Sequence, residues 1–280
     1  MLFGFCLFYL FMRDRNLFLT RFLAVLALTI GGCLPSNAAS DGDFQACRDH
    51  VLLGAPGGGG TALCRLGFAL SFNGATKVAD WTSTRLTAAH LVTRVGRSDN
   101  FRMDSDLAPD HRARRSDYRG SGYDRGHLVP AAAMAWHARA MSESFLLSNI
   151  APQVGPGFNR GIWRHLETSI RRWVRRRGSL IVVTGPLFEA TPTERIGDGA
   201  VAVPSHFFKI AYDPARTDAI AFILPNQRIA TPALGRYLVS IDEVERRSGL
   251  DFFARLGDGT EAALEARVQP APWPTTPRKP

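Results

Sequence analysis

At 280 residues the chain is longer than a small domain needs, and 45% hydrophobic with 21% charged residues excludes a disordered or fibrous protein. Thirty-four lysines and arginines stand against 25 aspartates and glutamates, giving +9 and a pI near 10.0. That balance favours a polyanionic partner such as nucleic acid or anionic lipid, without choosing between them.

The amino terminus reads as a targeting segment. Arg13, Arg15 and Arg21 flank an apolar run at 22–32, followed by small residues at 36–40, which is the order of a cationic, an apolar and a cleavage region. The run is too short for a comfortable membrane span. Met12 is an alternative start. Ile30-Gly31-Gly32-Cys33 resembles a lipoprotein cleavage box with Cys33 acylated, and ordinary cleavage after Ala38 or Ala39 is the alternative. Residues 1–39 are therefore expected to be a leader, and the mature protein to be exported: periplasmic, extracellular or lipid-anchored to the envelope. Residues 40–268 are expected to form one domain, and the proline-rich stretch 269–280 a disordered tail.

Cys6 and Cys33 fall in the leader, so Cys47 and Cys64 remain as a pair, and a disulfide is expected between them. The glycine-rich stretch 54–60 lacks the GK[ST] ending of a phosphate-binding loop and reads as a surface loop. Residues 66–72 and 78–86, joined by Asn73-Gly74, read as a hairpin. The polar stretch 94–121 carries Arg94, Arg97, Arg102, Arg112, Arg114, Arg115 and Arg119 and reads as a long functional loop. From Phe158 apolar residues recur at three- and four-residue spacing to Val174, predicting a helix that Gly178 ends. Its last turns hold Arg171, Arg172, Arg175, Arg176 and Arg177, which suit either a helix C-terminus or a nucleic-acid contact. Strands are predicted at 180–184, 206–212 and 219–224, and Ser240-x-x-Glu243 opens a capped helix that stops at Gly249. The mixture predicts an α+β domain.

One set of polar residues stands out. Asp124-Arg125-Gly126-His127 precedes Ser148-Asn149-Ile150-Ala151-Pro152-Gln153, then Asn159, then Glu167. Taken singly, these residues read as a turn with a surface ion pair, a helix N-cap and a solvated glutamate. In this order they supply what phosphodiester hydrolysis needs. His127 can take a proton from water near neutral pH. The amide oxygen of Asn159 suits a hard cation such as Mg²⁺, with Mn²⁺ as a substitute, because such ions keep most of their waters. Eight residues of regular helix span about 12 Å, so Glu167 is expected to reach the ion through water unless the first turn is irregular. Arg125 is expected to contact phosphate or orient the site, and Asp124 to be a structural hydrogen-bonder.

The chain resembles the DNA/RNA non-specific endonuclease family, endonuclease G-like sugar-non-specific nucleases of the ββα-metal (His-Me finger) class. The likeness runs from about Cys64 to Phe253. It passes through DRGH at 124–127, SNIAPQ at 148–153, FNRGIWRHLE at 158–167, TGPLF at 184–188, VPSHFFK at 203–209 and IDEVERRSGLDFF at 241–253. The resemblance implies a central antiparallel sheet flanked by helices and metal-dependent cleavage of DNA and RNA to 5′-phosphate products. It also implies His127 as general base, Asn159 as the one direct protein ligand of the metal and Glu167 in the outer shell. Asn149 and Arg160, within these motifs, are expected at the substrate. An upstream arginine is implied as a phosphate contact, and Arg97 and Arg102 both remain open for it. A basic protein that captures nucleic acid without cutting it, secreted or lipid-anchored, is the alternative reading. No stable protein partner is implied.

Overall fold

Near-continuous apolar runs in the central strands build a seven-stranded sheet whose two faces carry separate cores. The computed structural model describes residues 41–189, 194–230, 233–268 and 273. The leader reading at 1–39 and nearly all of the tail lie outside these residues. The strands are β1 (Thr61–Cys64), β2 (Ala69–Asn73), β3 (Val78–Thr87), β4 (Tyr123–His127), β5 (Ile150–Val154), β6 (Ser179–Leu187), β7 (Arg195–Ile196), β8 (Val201–Ala202), β9 (His206–Asp213), β10 (Asp218–Pro225) and β11 (Leu238–Val239). The helices are α1 (Ala138–Glu143), α2 (Arg164–Arg177), α3 (Ile241–Ser248) and α4 (Asp258–Glu265). The large sheet runs β1-β2-β3-β6-β9-β10-β11, and its pairs are antiparallel. The α+β expectation holds.

Strand period sorts the side chains. On β9, Phe207 and Ala211 enter one core with Trp163, Leu166, Trp173 and Val174, under α2. Phe208, Ile210 and Tyr212 enter the other, with Phe44 and Trp81 and with Ile241, Val244 and Leu264 of α3 and α4. Lys209 falls on the α2 face by the same period and is 1% exposed. The hairpin β4/β5 is a separate two-stranded sheet on that side, in the register Asp124↔Gln153 to His127↔Ile150.

Several elements differ from their predicted bounds for identifiable reasons. β6 does not stop at Gly185-Pro186. Beyond Thr184 it leaves β3 and continues to pair β9 alone through Leu187, so Pro186 occupies a strand segment with one free edge, where its missing N–H is tolerated. The helix predicted from Phe158 begins in regular form only at Arg164. Residues Gly155–Trp163 form a broken, widened turn in which Gly157 has φ +82° and Gly161 adopts φ −116°, ψ −110°. α3 matches its reading: Ser240 caps it by accepting from the Glu243 N–H at 3.2 Å, and Gly249 ends it in the left-handed region. The glycine-rich stretch is ordered packing rather than loose loop, since the Gly57 carbonyl accepts the Trp81 Nε1 hydrogen bond at 2.7 Å. Cys47 and Cys64 are joined by a disulfide.

Candidate active site

The hairpin fixes His127 through backbone pairing and through a glycine. A Cβ on Gly126 would fall 2.1–2.3 Å from three Gln153 side-chain atoms, and Gln153 is fully buried, so β4 can approach this strand only with glycine there. Asn149 completes the mount. Its side-chain oxygen accepts from Val129 N–H at 2.9 Å, and its Nδ2 donates to the Val129 and Ser144 carbonyls, both at 2.9 Å. With no exposed surface, its amide is spent on the backbone that follows His127. The expectation that Asn149 contacts substrate is corrected: it is a scaffold residue.

The imidazole of His127 lies among aromatic rings. Phe145 meets it edge-on at 4.9 Å and Phe101 lies 5.5 Å away. Its Nε2 is buried with no hydrogen-bond partner. Burial first, and then the nearby Arg97 charge, push its pKa down to about 3. The ring is therefore neutral across the physiological range, as a proton acceptor must be. The indole Nε1 of Trp163 donates to the His127 carbonyl at 3.4 Å, tying the strand to the turn before α2.

That turn presents Asn159. Its Nδ2 donates to Oδ2 of Asp124 at 2.9 Å, and Arg160 Nε pairs with the same oxygen at 3.2 Å. The carboxylate thus holds the amide by its nitrogen and leaves Oδ1 as the free end. Asp124 thereby links the strand β4 to the turn before α2. Because the chain between Asn159 and Trp163 is not regular helix, the 12 Å separation of an ideal helix does not constrain Asn159 and Glu167.

Glu167 sits in the first turn of α2. Burial raises its pKa, opposed by Lys209, Arg171, Arg164 and Arg97. Lys209 is the residue that sequence reading missed. Its Nζ donates to the Leu128 carbonyl and to Thr184 Oγ1, and lies 4.5 Å from the centre of the Trp163 ring. Burial pulls its pKa down to about 8, with Glu167 acting in the opposite direction. The signal was available: a lysine at an inward position of the strand HFFKIAY interrupts an otherwise apolar face.

The arginines divide by use. Arg97 pairs with Asp99 at 2.7 Å, remains half exposed, and lies 4.8 Å from the Phe145 ring centre. Arg125 lies over Phe101 at 4.4 Å. Arg102 turns away, donating to the Ser142 carbonyl at 2.8 Å and to Asn100 O at 3.4 Å. Those carbonyls make it a loop brace, whereas of the two arginines left open for phosphate Arg97 is the one whose charge reaches His127. The loop is further anchored by Asp104, which accepts from Arg65 and from Ser148 Oγ in a buried cluster. On α2, Arg177 pairs with buried Asp213 at 2.8 Å and stacks on Trp273, so it is structural, whereas Arg172, Arg175 and Arg176 are exposed.

The site thus holds a neutral imidazole near the Arg97 charge and an amide pinned by Asp124. The family model described as DNA/RNA non-specific endonuclease matches residues 48–259. The chain belongs to the DNA/RNA non-specific endonuclease family. Nuclease C1 of Cunninghamella echinulata var. echinulata is 39% identical over 222 residues, covering 74% of this chain and 88% of that protein. Mitochondrial endonuclease G of Homo sapiens is 39% identical over 203 residues, covering 67% and 68%. A crystal structure of the EndoG/EndoGI complex superposes with a TM-score of 0.69 at 34% identity, covering 75% of this chain and 91% of that one. Membership makes the chain a hydrolytic nuclease whose substrates are DNA and RNA.

Several relatives correct the expected destination. Relatives from Schizosaccharomyces pombe, Caenorhabditis elegans, Saccharomyces cerevisiae and Homo sapiens are named as mitochondrial nucleases, not as exported or envelope-anchored proteins. A cationic and apolar amino-terminal segment specifies targeting only in general terms, so the export reading of residues 1–39 does not stand.

Proposed function

We propose that His127 is the general base of a Mg²⁺-dependent phosphodiester hydrolysis, that Asn159 is the one direct protein ligand of the ion, and that Glu167 acts on it through water. The observation that carries this reading is the Asp124–Asn159 hydrogen bond, which commits the amide nitrogen and leaves a single oxygen donor. An isolated amide oxygen with a nearby carboxylate fits a hard, largely hydrated cation, and no thiolate joins the set. When bound, Mg²⁺ would neutralise charge on the scissile phosphate and its departing oxygen; Mn²⁺ satisfies the same donors.

The chain's own residues supply the rest. A hydrogen on the enclosed Nε2 of His127 faces aromatic surface, which tolerates N–H better than a lone pair. Nδ1 is then the basic atom that takes the proton of the attacking water. Arg97 and Arg125 are fixed over Phe145 and Phe101, and their guanidinium groups would bind non-bridging phosphate oxygens as negative charge builds. Arg160, paired with Asp124, would hold an adjacent phosphate. Attack by external water needs no 2′-hydroxyl, so DNA and RNA are both cut, with 5′-phosphate ends. Phosphate contacts dominate, so cutting falls steeply with salt and shows no defined sequence.

The test is plasmid and RNA digestion by the wild-type protein with Mg²⁺ or with EDTA, and by His127→Ala. Nicking by the wild type with Mg²⁺ alone is expected, together with a loss of 10²-fold or more in the variant at unchanged DNA affinity. Mobility shifts without nicks in every arm would refute catalysis and leave a binding protein.

A further inference from the structure

On the sheet face opposite Lys209 and α2, the last two helices bring three carboxylates together. Asp242 and Glu245 lie three residues apart and so share one side of α3. Glu265 ends α4. One oxygen from each lies within 4.8 Å of the others. Acidic residues often gather at surfaces without a ligand, but Glu265 is not at the surface. It is 7% exposed, and its Oε1 is buried with no hydrogen-bond partner. Glu245 is held in place because its Oε1 accepts the Phe252 N–H at 2.8 Å. Besides Glu245 and Asp242, Glu261 and Asp251 place further negative charge around Glu265. The C-terminal end of a helix also disfavours an anion. An unpartnered carboxylate in such surroundings lacks a positive charge.

We propose that Asp242, Glu245 and Glu265 form a second divalent-cation site, for Ca²⁺, which ties α3 to α4 and is independent of catalysis. Three oxygens within 4.8 Å of one another lie no more than about 2.8 Å from a common point, so a shift of a few tenths of an ångström brings each to the Ca²⁺–O distance of about 2.3–2.6 Å. Mg²⁺ demands shorter bonds and stricter geometry, and an all-carboxylate set does not favour softer metals. The two helices otherwise rest on the sheet through a few apolar side chains, Ile241, Val244 and Leu264 among them. A bridging ion would therefore act on the stability of this end of the fold rather than on phosphodiester chemistry.

The experiment uses full-length protein carrying Asn159→Ala, which removes the proposed catalytic ligand, stripped with EDTA and then titrated with CaCl₂ against KCl of matched ionic strength. Isothermal calorimetry should show one saturable site, and the melting temperature should rise by about 5 °C at saturation. Glu265→Gln and Asp242→Asn, each in the same background, should abolish both signals while keeping the EDTA-state melting temperature at or above that of the parent. Absence of a calcium-dependent rise in the parent would overturn the site, as would an undiminished rise in both carboxylate variants. A gain in EDTA-state stability for Glu265→Gln with no calcium binding in the parent would identify a proton as the occupant and refute the cation.

Discussion

Asp124→Ala separates metal placement from proton transfer. The lost carboxylate accepts from Asn159 Nδ2 at 2.9 Å and pairs with Arg160 at 3.2 Å. A hydrogen bond to a charged acceptor contributes about 1.5–3 kcal/mol, and one decade corresponds to about 1.4 kcal/mol. Released from this restraint, the Asn159 amide can rotate and offer its nitrogen where the oxygen should be. The half-saturating Mg²⁺ concentration should therefore rise about 10–100-fold, the range typical of residues that orient a ligand. His127 and its aromatic surroundings are untouched, so kcat at saturating Mg²⁺ should stay near wild type. Asp124→Asn keeps an acceptor oxygen and should show a smaller rise. The Arg160 pair contributes little to folding because that side chain is 63% exposed, so the melting temperature should hardly move. The assay is the initial rate of supercoiled-plasmid nicking across a Mg²⁺ titration. An unchanged Mg²⁺ midpoint in Asp124→Ala, or a fall in kcat with the midpoint fixed, would refute the orienting role.

Two further outcomes test the mount around His127, and a third tests the disulfide. Because His127 titrates near 3 when folded and near 6.5 when unfolded, its neutral form contributes stability that is fully present above pH 6.5 and lost as pH falls toward 3. At pH 5 the loss should be about 2 kcal/mol, so urea denaturation of His127→Asn should show a correspondingly smaller drop between pH 7.5 and pH 5, and an equal drop in both proteins would contradict the burial argument. Gly126→Ala must displace buried Gln153; a cost of about 1–3 kcal/mol is expected in the same denaturation assay, and misplacement of β4 should lower kcat by about 10²-fold. A variant with wild-type stability would show that the hairpin has slack. Replacing Cys47 by Ser opens a disulfide spanning 17 residues, which should cost about 3 kcal/mol and lower the melting temperature by about 10 °C, with dithiothreitol producing the same shift in the wild type.

Much of the sheet was legible because its strands alternate or run apolar between turn residues, as at 78–86 and 206–212, and α3 was legible because Ser240 and Gly249 mark its ends. The edge strand β1 and the helices α1 and α4 were not, because short elements with weak apolar periodicity are specified by tertiary packing rather than local propensity. The start of α2 was misplaced for a more instructive reason. Phe158, Ile162 and Trp163 are all buried, so the spacing of apolar residues continues without a break across a backbone that is not helical. The packing pattern does not report the positive φ of Gly157 or the break at Gly161.

That irregular turn is also where Asn159 stands, and the coincidence has a physical basis. A regular helix carries a side chain on a fixed spiral, so an amide lodged there could meet Asp124 of β4 only if the whole helix approached the hairpin. The break releases residues 155–163 from that constraint while Trp163 still fastens the turn to the His127 carbonyl. The same logic places Lys209. A strand interior is a poor place for a cation, but at that register it can reach both the Leu128 carbonyl, one residue beyond His127, and the electrostatic field of Glu167. Local propensity and patterning fail at Asn159 and at Lys209 because each residue is held by bonds to another element, and such bonds leave little trace in the spacing of the surrounding sequence.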